Sequence, residues 1–161
     1  MPDLVLSNTS PLFYLYRLRH LDLLQKLYRR IIVPEAVVAE LKTGRDQGED
    51  VPDVTQYGWI EVRSVRVPEL IRLITDLGAG EVQVLALALE EPSSLVILDD
   101  RLARKVARLQ NLPMTGTAGV ILKAKQEGHL LAVAPLLDKL IQLDFRLSDA
   151  VKASILKLAQ E

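Results

Sequence analysis

The sequence contains no cysteine. That excludes disulfides, thiolate metal sites and a cysteine nucleophile, and it predicts a reducing, cytoplasmic setting. Aromatic residues are scarce at 4%, so aliphatic side chains must fill the core. No apolar run long enough to span a bilayer is present, which predicts no membrane segment. The opening "MPDLVLSN" has no basic region and no long apolar stretch, so it does not read as a secretory signal. Charge of either sign is not in excess either: 20 basic residues face 21 acidic ones, for a net charge of -1. Such balance gives no overall attraction to nucleic acid, so any such contact needs a local site.

What is present is a regular alternation. The 161 residues suit one domain, 1–161, with a sizeable core. Leu4-Val5-Leu6 reads as a short buried strand, and Ser10-Pro11 as a helix start, with Ser as cap. A helix over Leu21 to Tyr28 follows. Ile31-Ile32-Val33 is a strand, and Pro34 opens a helix through Leu41 that stops near Gly44. Residues 43–58 are the most polar stretch and predict a mobile connection. "WIEVRSV" alternates as an edge strand does. Pro68 to Asp76 reads as a modest helix. "GAGEVQVLALALEEP" is apolar nearly all round, which predicts a deeply buried helix. "SLVILDD" is a strand ending on two acids. "DRLARKVARLQNLP" is an amphipathic helix with Leu102, Val106 and Leu109 on its apolar side. "PMTGTAG" holds a short strand and a turn. Three helices complete the chain, making residues 118–161 a helical C-terminal region. Strands alternating with helices predict an α/β fold with a mainly parallel sheet.

In open α/β sheets, sites gather at the carboxyl ends of the strands. Asn8 follows the first strand there, Asp99 and Asp100 the fourth, and Thr115, Gly116 and Thr117 the fifth. Glu40 and Glu81 lie on helices that could bring them to the same place. Clustered carboxylates repel one another by roughly 4 kcal/mol for a pair about 4 Å apart at an effective dielectric near 20. They need a cation or must hold protons. Hard oxygen donors without cysteine or a placed histidine suit Mg2+ or Mn2+, and such ions assist phosphoryl chemistry. Each residue also has a plainer role open to it. Asp99, Asp100 and Glu81 stand where acids favour helix starts, Glu40 suits a surface, and Asn8 suits a turn. Arg101, Lys105 and Arg108 share one helical face, as a solvated surface or as a phosphate-steering patch. His20 and His129 have no partner spacing and read as structural or solvent-facing.

Taken in order, "LSNTSPL", "VPEAVVAEL", "GAGEVQVLALAL" and "LVILDDRLARKVA" resemble the PIN-domain proteins, the metal-dependent ribonuclease fold. The likeness is closest to small stand-alone PIN-like proteins of bacteria and archaea, whose C-terminal signature looks like "MTGTAGVILKAKQEG" with "PLLDKLIQLDFRLS". No single motif is specific; their order and spacing are. The resemblance implies a three-layer PIN-like domain, a central parallel sheet with helices on both faces. It implies an acid cluster that binds Mg2+ or Mn2+ and cleaves single-stranded RNA. By position, the first family acid falls on Asn8, the second on Glu40, the third on Glu81 and the fourth on Asp100, with Asp99 beside it. Thr117 stands where a polar contact to water or phosphate is expected, and Arg101 and Lys105 where a substrate strand could pass. Leu98 replaces a threonine common in the family, and Leu102 and Ala103 stand where many members have a further acid.

Asn8 is the main departure. Asn offers a neutral carbonyl oxygen to a hard ion but no charge, and ligand charge tunes affinity. The expectation is a weakened metal site of Asn8, Glu40, Glu81, Asp99 and Asp100. Two functions compete: a metal-dependent ribonuclease, with an antitoxin-like protein as partner, or a non-catalytic module that binds RNA or protein. A phosphoacceptor receiver domain fits worse, because its acidic pair would follow the first strand. The apolar C-terminal helices predict either a homodimer interface or packing within the chain.

Overall fold

The computed structural model describes residues 2–161. Five short strands form one all-parallel sheet in the order β3-β2-β1-β4-β5. These are β1 (Val5–Ser7), β2 (Ile31–Pro34), β3 (Ile60–Arg63), β4 (Leu95–Ile97) and β5 (Met114–Thr115). The register pairs Leu6 with Ile32 on one side and with Val96 on the other. Every residue of β1 and β2 is buried, as strands covered on both faces must be.

Nine helices occupy the described residues: α1 (Thr9–Arg17), α2 (Asp22–Tyr28), α3 (Glu35–Asp46), α4 (Glu69–Arg72), α5 (Ala79–Glu90), α6 (Arg101–Leu109), α7 (Thr117–Gln126), α8 (Ala134–Gln142) and α9 (Asp149–Leu158). The helix that is apolar nearly all round, α5, lies across β1, β2 and β4, with α3, α4 and α6 against it. Val84 to Ala88 are consecutively buried there, since α5 meets strands on one side and helices on the others. The opposite layer is built around α7, which α1, α2 and α9 contact. In the C-terminal region Leu136, Leu137, Leu140, Ile155 and Ala159 join the main core, so most of its apolar surface packs within the chain. The last residue helps to hold it. Glu161 accepts backbone N–H bonds from Val133 (2.7 Å) and Ala134 (3.1 Å) at the start of α8.

Five local expectations are corrected. Helix α1 begins at Thr9 with Asn8 at the cap position, so Ser10 lies within its first turn and makes no cap. The Ser10 hydroxyl instead donates to Asp99. Helix α3 runs through Gly44 to Asp46, because Gly44 faces Glu49 and Val51, whose segment folds back on the helix. The polar stretch after it is tied down: Arg45 donates to the Pro52 carbonyl at 2.8 Å, Arg17 to the Asp50 carbonyl at 3.1 Å, and Val51 and Val54 are buried. The modest helix after Pro68 is the single turn α4. On α6 Leu102 and Val106 pack against the core as expected, but the fully buried residues are Ala103 and Ala107, and Leu109 is 70% exposed. Two alanines let α6 sit close to its neighbours, which a leucine stripe would prevent.

Candidate functional site

The strand order reverses at β1, which lies between β2 and β4. At such a switch point the carboxyl ends of adjacent strands open a crevice. Asn8 stands at its head. Its backbone N–H donates to the Ile97 carbonyl at 3.2 Å, continuing the β1–β4 pairing one residue past the strand. Asn is a favoured N-cap residue, yet here the side chain makes no cap bond. It is only 3% exposed, and its Oδ1 has no hydrogen-bond partner.

Glu40, on α3, presents the matching oxygen. Its Oε2 accepts from the Thr9 hydroxyl at 3.1 Å, while Oε1 is buried without a partner. Helix α3 is held for this by α5: the Gln83 side-chain oxygen accepts from the Ala36 N–H at 2.9 Å, replacing the cap that Pro34 cannot provide. The two orphaned oxygens converge beside Gly80. A methyl group there would come within 2.7 Å of Asn8 Oδ1 and would collide with Glu40 Oε1. Buried acceptors are almost always satisfied. Two of them facing one small space are satisfied either by a cation or by the NH2 of a turned Asn8 amide.

Glu81 follows in the first turn of α5. Its carboxylate folds back toward the helix start, where a Cβ on Gly78 would lie 2.8 Å from Oε2. Burial in the cleft holds this carboxyl above the usual glutamate range. Glu40 and Asp100 push it the same way, while its own backbone N–H and the Asn8 side chain pull it back. Asp100 is the N-cap of α6, its Oδ2 accepting from the Ala103 N–H at 2.9 Å. Asp99 accepts from the Ser10 hydroxyl (2.9 Å), the Thr117 N–H (2.8 Å) and the Thr117 hydroxyl (2.6 Å). Asp99 thus fastens the starts of α1 and α7 to the end of β4.

Two hollows flank this centre. One, of about 300 Å³, is bounded by Phe13, Glu40 and Glu49. The other, of about 330 Å³, is bounded by Asp99, Asp100, Asp144, Phe145 and Arg146. Asn8, Ser10, Tyr14 and Glu81 line both, so they form a ridge in one longer cleft.

The five positions expected to bind metal therefore line one cleft, in different states of engagement. Asn8 and Glu40 aim free oxygens at one point, Glu81 and Asp100 flank them, and Asp99 is largely committed to Ser10 and Thr117. Among the described residues, no three His, Asp or Glu side chains stand close enough to hold one ion by themselves. Thr117 is fully buried and bonded to Asp99. Arg101, Lys105 and Arg108 are exposed on α6 and line neither hollow. The basic residue that reaches the cleft wall is Arg146. Arg104, between the expected basic positions, turns inward and donates to the Leu98 carbonyl at 2.9 Å. Arg104 is placed by a carbonyl six residues earlier and Arg146 follows the turn after α8, so neither belongs to the helical-face pattern of Arg101, Lys105 and Arg108.

A family model described as a PIN domain matches residues 4–161. The chain belongs to the PIN-domain family. The family implies a nuclease-like function, and the α/β model with its five-stranded parallel sheet agrees with it. No curated protein matches the chain in sequence. No helix among the described residues is long and apolar enough to cross a membrane.

Proposed function

We propose that this PIN-domain protein is a metal-dependent ribonuclease-like hydrolase that cleaves phosphodiester bonds in single-stranded RNA, using Mg2+ or Mn2+. The observation that carries the reading is the pair of buried, unpartnered oxygens, Asn8 Oδ1 and Glu40 Oε1, at the head of an acidic cleft. The donor set is all oxygen, which suits these hard ions. Asn8 and Glu40 would hold the ion, water would complete its coordination, and Glu81 and Asp100 stand on the flanks of the site. When bound, the ion neutralises phosphate charge and lowers the pKa of water.

The remaining work falls to the chain's own groups. Glu81 lines both hollows and, as a carboxylate beside the ion, would orient the attacking water and take up its proton as the P–O bond to the leaving oxygen breaks. Asp100 has one carboxylate oxygen free of its capping bond, facing the same hollow. Asp99 acts as a positioning residue through Thr117 and Ser10. Arg146 contributes the positive charge that a substrate phosphate needs in an otherwise acidic cleft. We place the activity in the cytoplasm, in keeping with the absence of cysteine. An antitoxin-like protein and a second copy of the chain are its proposed partners, with exposed Leu70, Leu73 and Leu109 as the apolar surface available to them.

One observation favours a second reading. Asn8 brings no charge, and the acids do not form a three-carboxylate group, which suits a catalytically weak module that binds nucleic acid or protein. A single assay separates the two. Purified protein is incubated with a mixed single-stranded RNA pool in Mn2+, in Mg2+ and in EDTA, beside Glu40→Gln and Asp100→Asn. Asn caps helices about as well as Asp, so the second variant spares α6. The nuclease reading predicts cleavage by wild type in metal alone and loss in both variants. Cleavage that persists in EDTA rejects it, and RNA retention without cleavage selects the binding module.

A further inference from the structure

The chain is poor in aromatic residues, yet both of its phenylalanines and one of its four tyrosines form a single row along the cleft. The Phe13 and Tyr14 ring centroids are 4.9 Å apart and perpendicular. Tyr14 and Phe145 repeat the arrangement at 5.0 Å. The row is not equally accessible along its length. The Arg17 guanidinium sits 4.5 Å above the Phe13 ring, and Arg17 itself is anchored to the Asp50 carbonyl. Tyr14 and Phe145 remain as partly exposed rings lining the hollow that also contains Asp99, Asp100 and Arg146.

Phe145 is placed by a rigid device. Helix α8 ends in a Schellman motif, with the Asp144 N–H bonded to the Ile141 carbonyl and the Phe145 N–H to the Leu140 carbonyl, both at 3.0 Å. Asp144 takes the left-handed conformation at φ 65° that such a turn requires, a position where glycine is usual. The C-terminal region thereby delivers an aromatic ring and, one residue on, an arginine to the mouth of the acidic cleft. The Phe145 ring packs in part against the core and in part lines the hollow, as Tyr14 does. A cleft lined mostly by carboxylates also repels polynucleotides, so an attraction that is not electrostatic would add to what the ion and Arg146 supply.

We propose that Tyr14 and Phe145 form a base-stacking subsite, which packs a nucleobase of a single-stranded RNA beside the reacting phosphate while Arg146 meets the backbone. The inference rests on the proposed ribonuclease reading and names how that site selects unpaired strands. Stacking suits them because only an unpaired base can leave its neighbours and offer a face.

The test uses the full chain in Ca2+, a hard ion that fills oxygen sites. The probes are a single-stranded RNA of about ten nucleotides, within the span that single-strand binders cover, and its abasic counterpart of equal length. Phe145→Leu and Tyr14→Leu keep apolar bulk and remove the π face, and thermal melting checks that each is folded. Trp59→Leu, beside β3 and outside the cleft, is the control. The expected result is that the base-bearing RNA binds at least about fivefold more tightly than the abasic strand, an advantage lost in both cleft variants and kept in the control. A 2-aminopurine in the RNA should be quenched by wild type and not by Phe145→Leu. Equal binding of the two strands, or unaltered binding by both cleft variants, overturns the subsite while leaving the nuclease reading in place. Base-dependent binding without cleavage in Mn2+ rejects the nuclease and supports the subsite. Absence of RNA binding overturns both.

Discussion

Replacing Gly80 by alanine tests the oxygen pair with a single methyl group. Gly80 is the second residue of α5 and has ordinary helical geometry, so alanine is locally favoured by up to about 1 kcal/mol. Against that gain, the new methyl would collide with Glu40 Oε1 and crowd Asn8 Oδ1. Glu40 is a flexible side chain and can swing away. Doing so breaks its bond from the Thr9 hydroxyl, a charged hydrogen bond of about 1.5–3 kcal/mol. The gain offsets only part of the cost. The net change is a loss of about 0.5–2 kcal/mol, which in a chain of this size shifts Tm by a few degrees. The effect on metal is different in kind, because the methyl fills the space between the two oxygens. Calorimetric titration with Mn2+ should show affinity reduced at least tenfold, about 1.4 kcal/mol. Gly58→Ala is the control, since a Cβ there meets nothing within 4 Å. A folded Gly80→Ala protein that binds Mn2+ as tightly as wild type would refute the reasoning.

Other substitutions probe the same centre. Asn8→Asp puts a second carboxylate beside Glu40 at a buried position, so metal-free Tm should fall by several degrees and Mn2+ should restore it, with tighter Mn2+ binding by calorimetry. Asp99→Ala leaves the Thr117 N–H, the Thr117 hydroxyl and the Ser10 hydroxyl without their acceptor. It should cost about 2–3 kcal/mol, read in urea unfolding. Glu81 has its carboxyl raised above the ordinary 4.5, mainly by burial, so folded protein binds that proton more tightly than unfolded chain. Its contribution to stability is therefore full at low pH and is lost as pH rises through the raised value. Metal-free Glu81→Gln should gain stability over wild type at pH 7 and lose that advantage below pH 4.5, followed by Tm against pH.

The parallel sheet and the order of its elements were legible because the apolar runs are short and the helices between them strongly patterned. The burial of α5 followed from an apolar surface on every side. The errors fell where tertiary contact overrides a local rule. Ser10 looks like a cap because Ser-Pro usually starts a helix, but Asp99, far along the chain, claims its hydroxyl. Gly44 looks like a stop, but a returning segment covers it and the helix continues. Within the site, the acids could be named from strand ends and from resemblance to the family. Their division of labour could not, because it depends on partners: Asp99 is held by two hydroxyls and an N–H, whereas Glu40 keeps one oxygen free. Phe145 and Arg146 fall within the C-terminal stretch that resembles the family, but nothing there marked them as cleft residues, since the turn after α8 brings them to a cleft built by the other end of the chain.

The most direct test of the central claim is the position of a bound ion. Crystals grown with Mn2+ and measured for anomalous scattering should show a peak coordinated by both Asn8 Oδ1 and Glu40 Oε1, at about 2.0–2.6 Å, as oxygen-ligated divalent ions are held. A fully occupied peak elsewhere in the cleft, touching neither oxygen, would contradict the account.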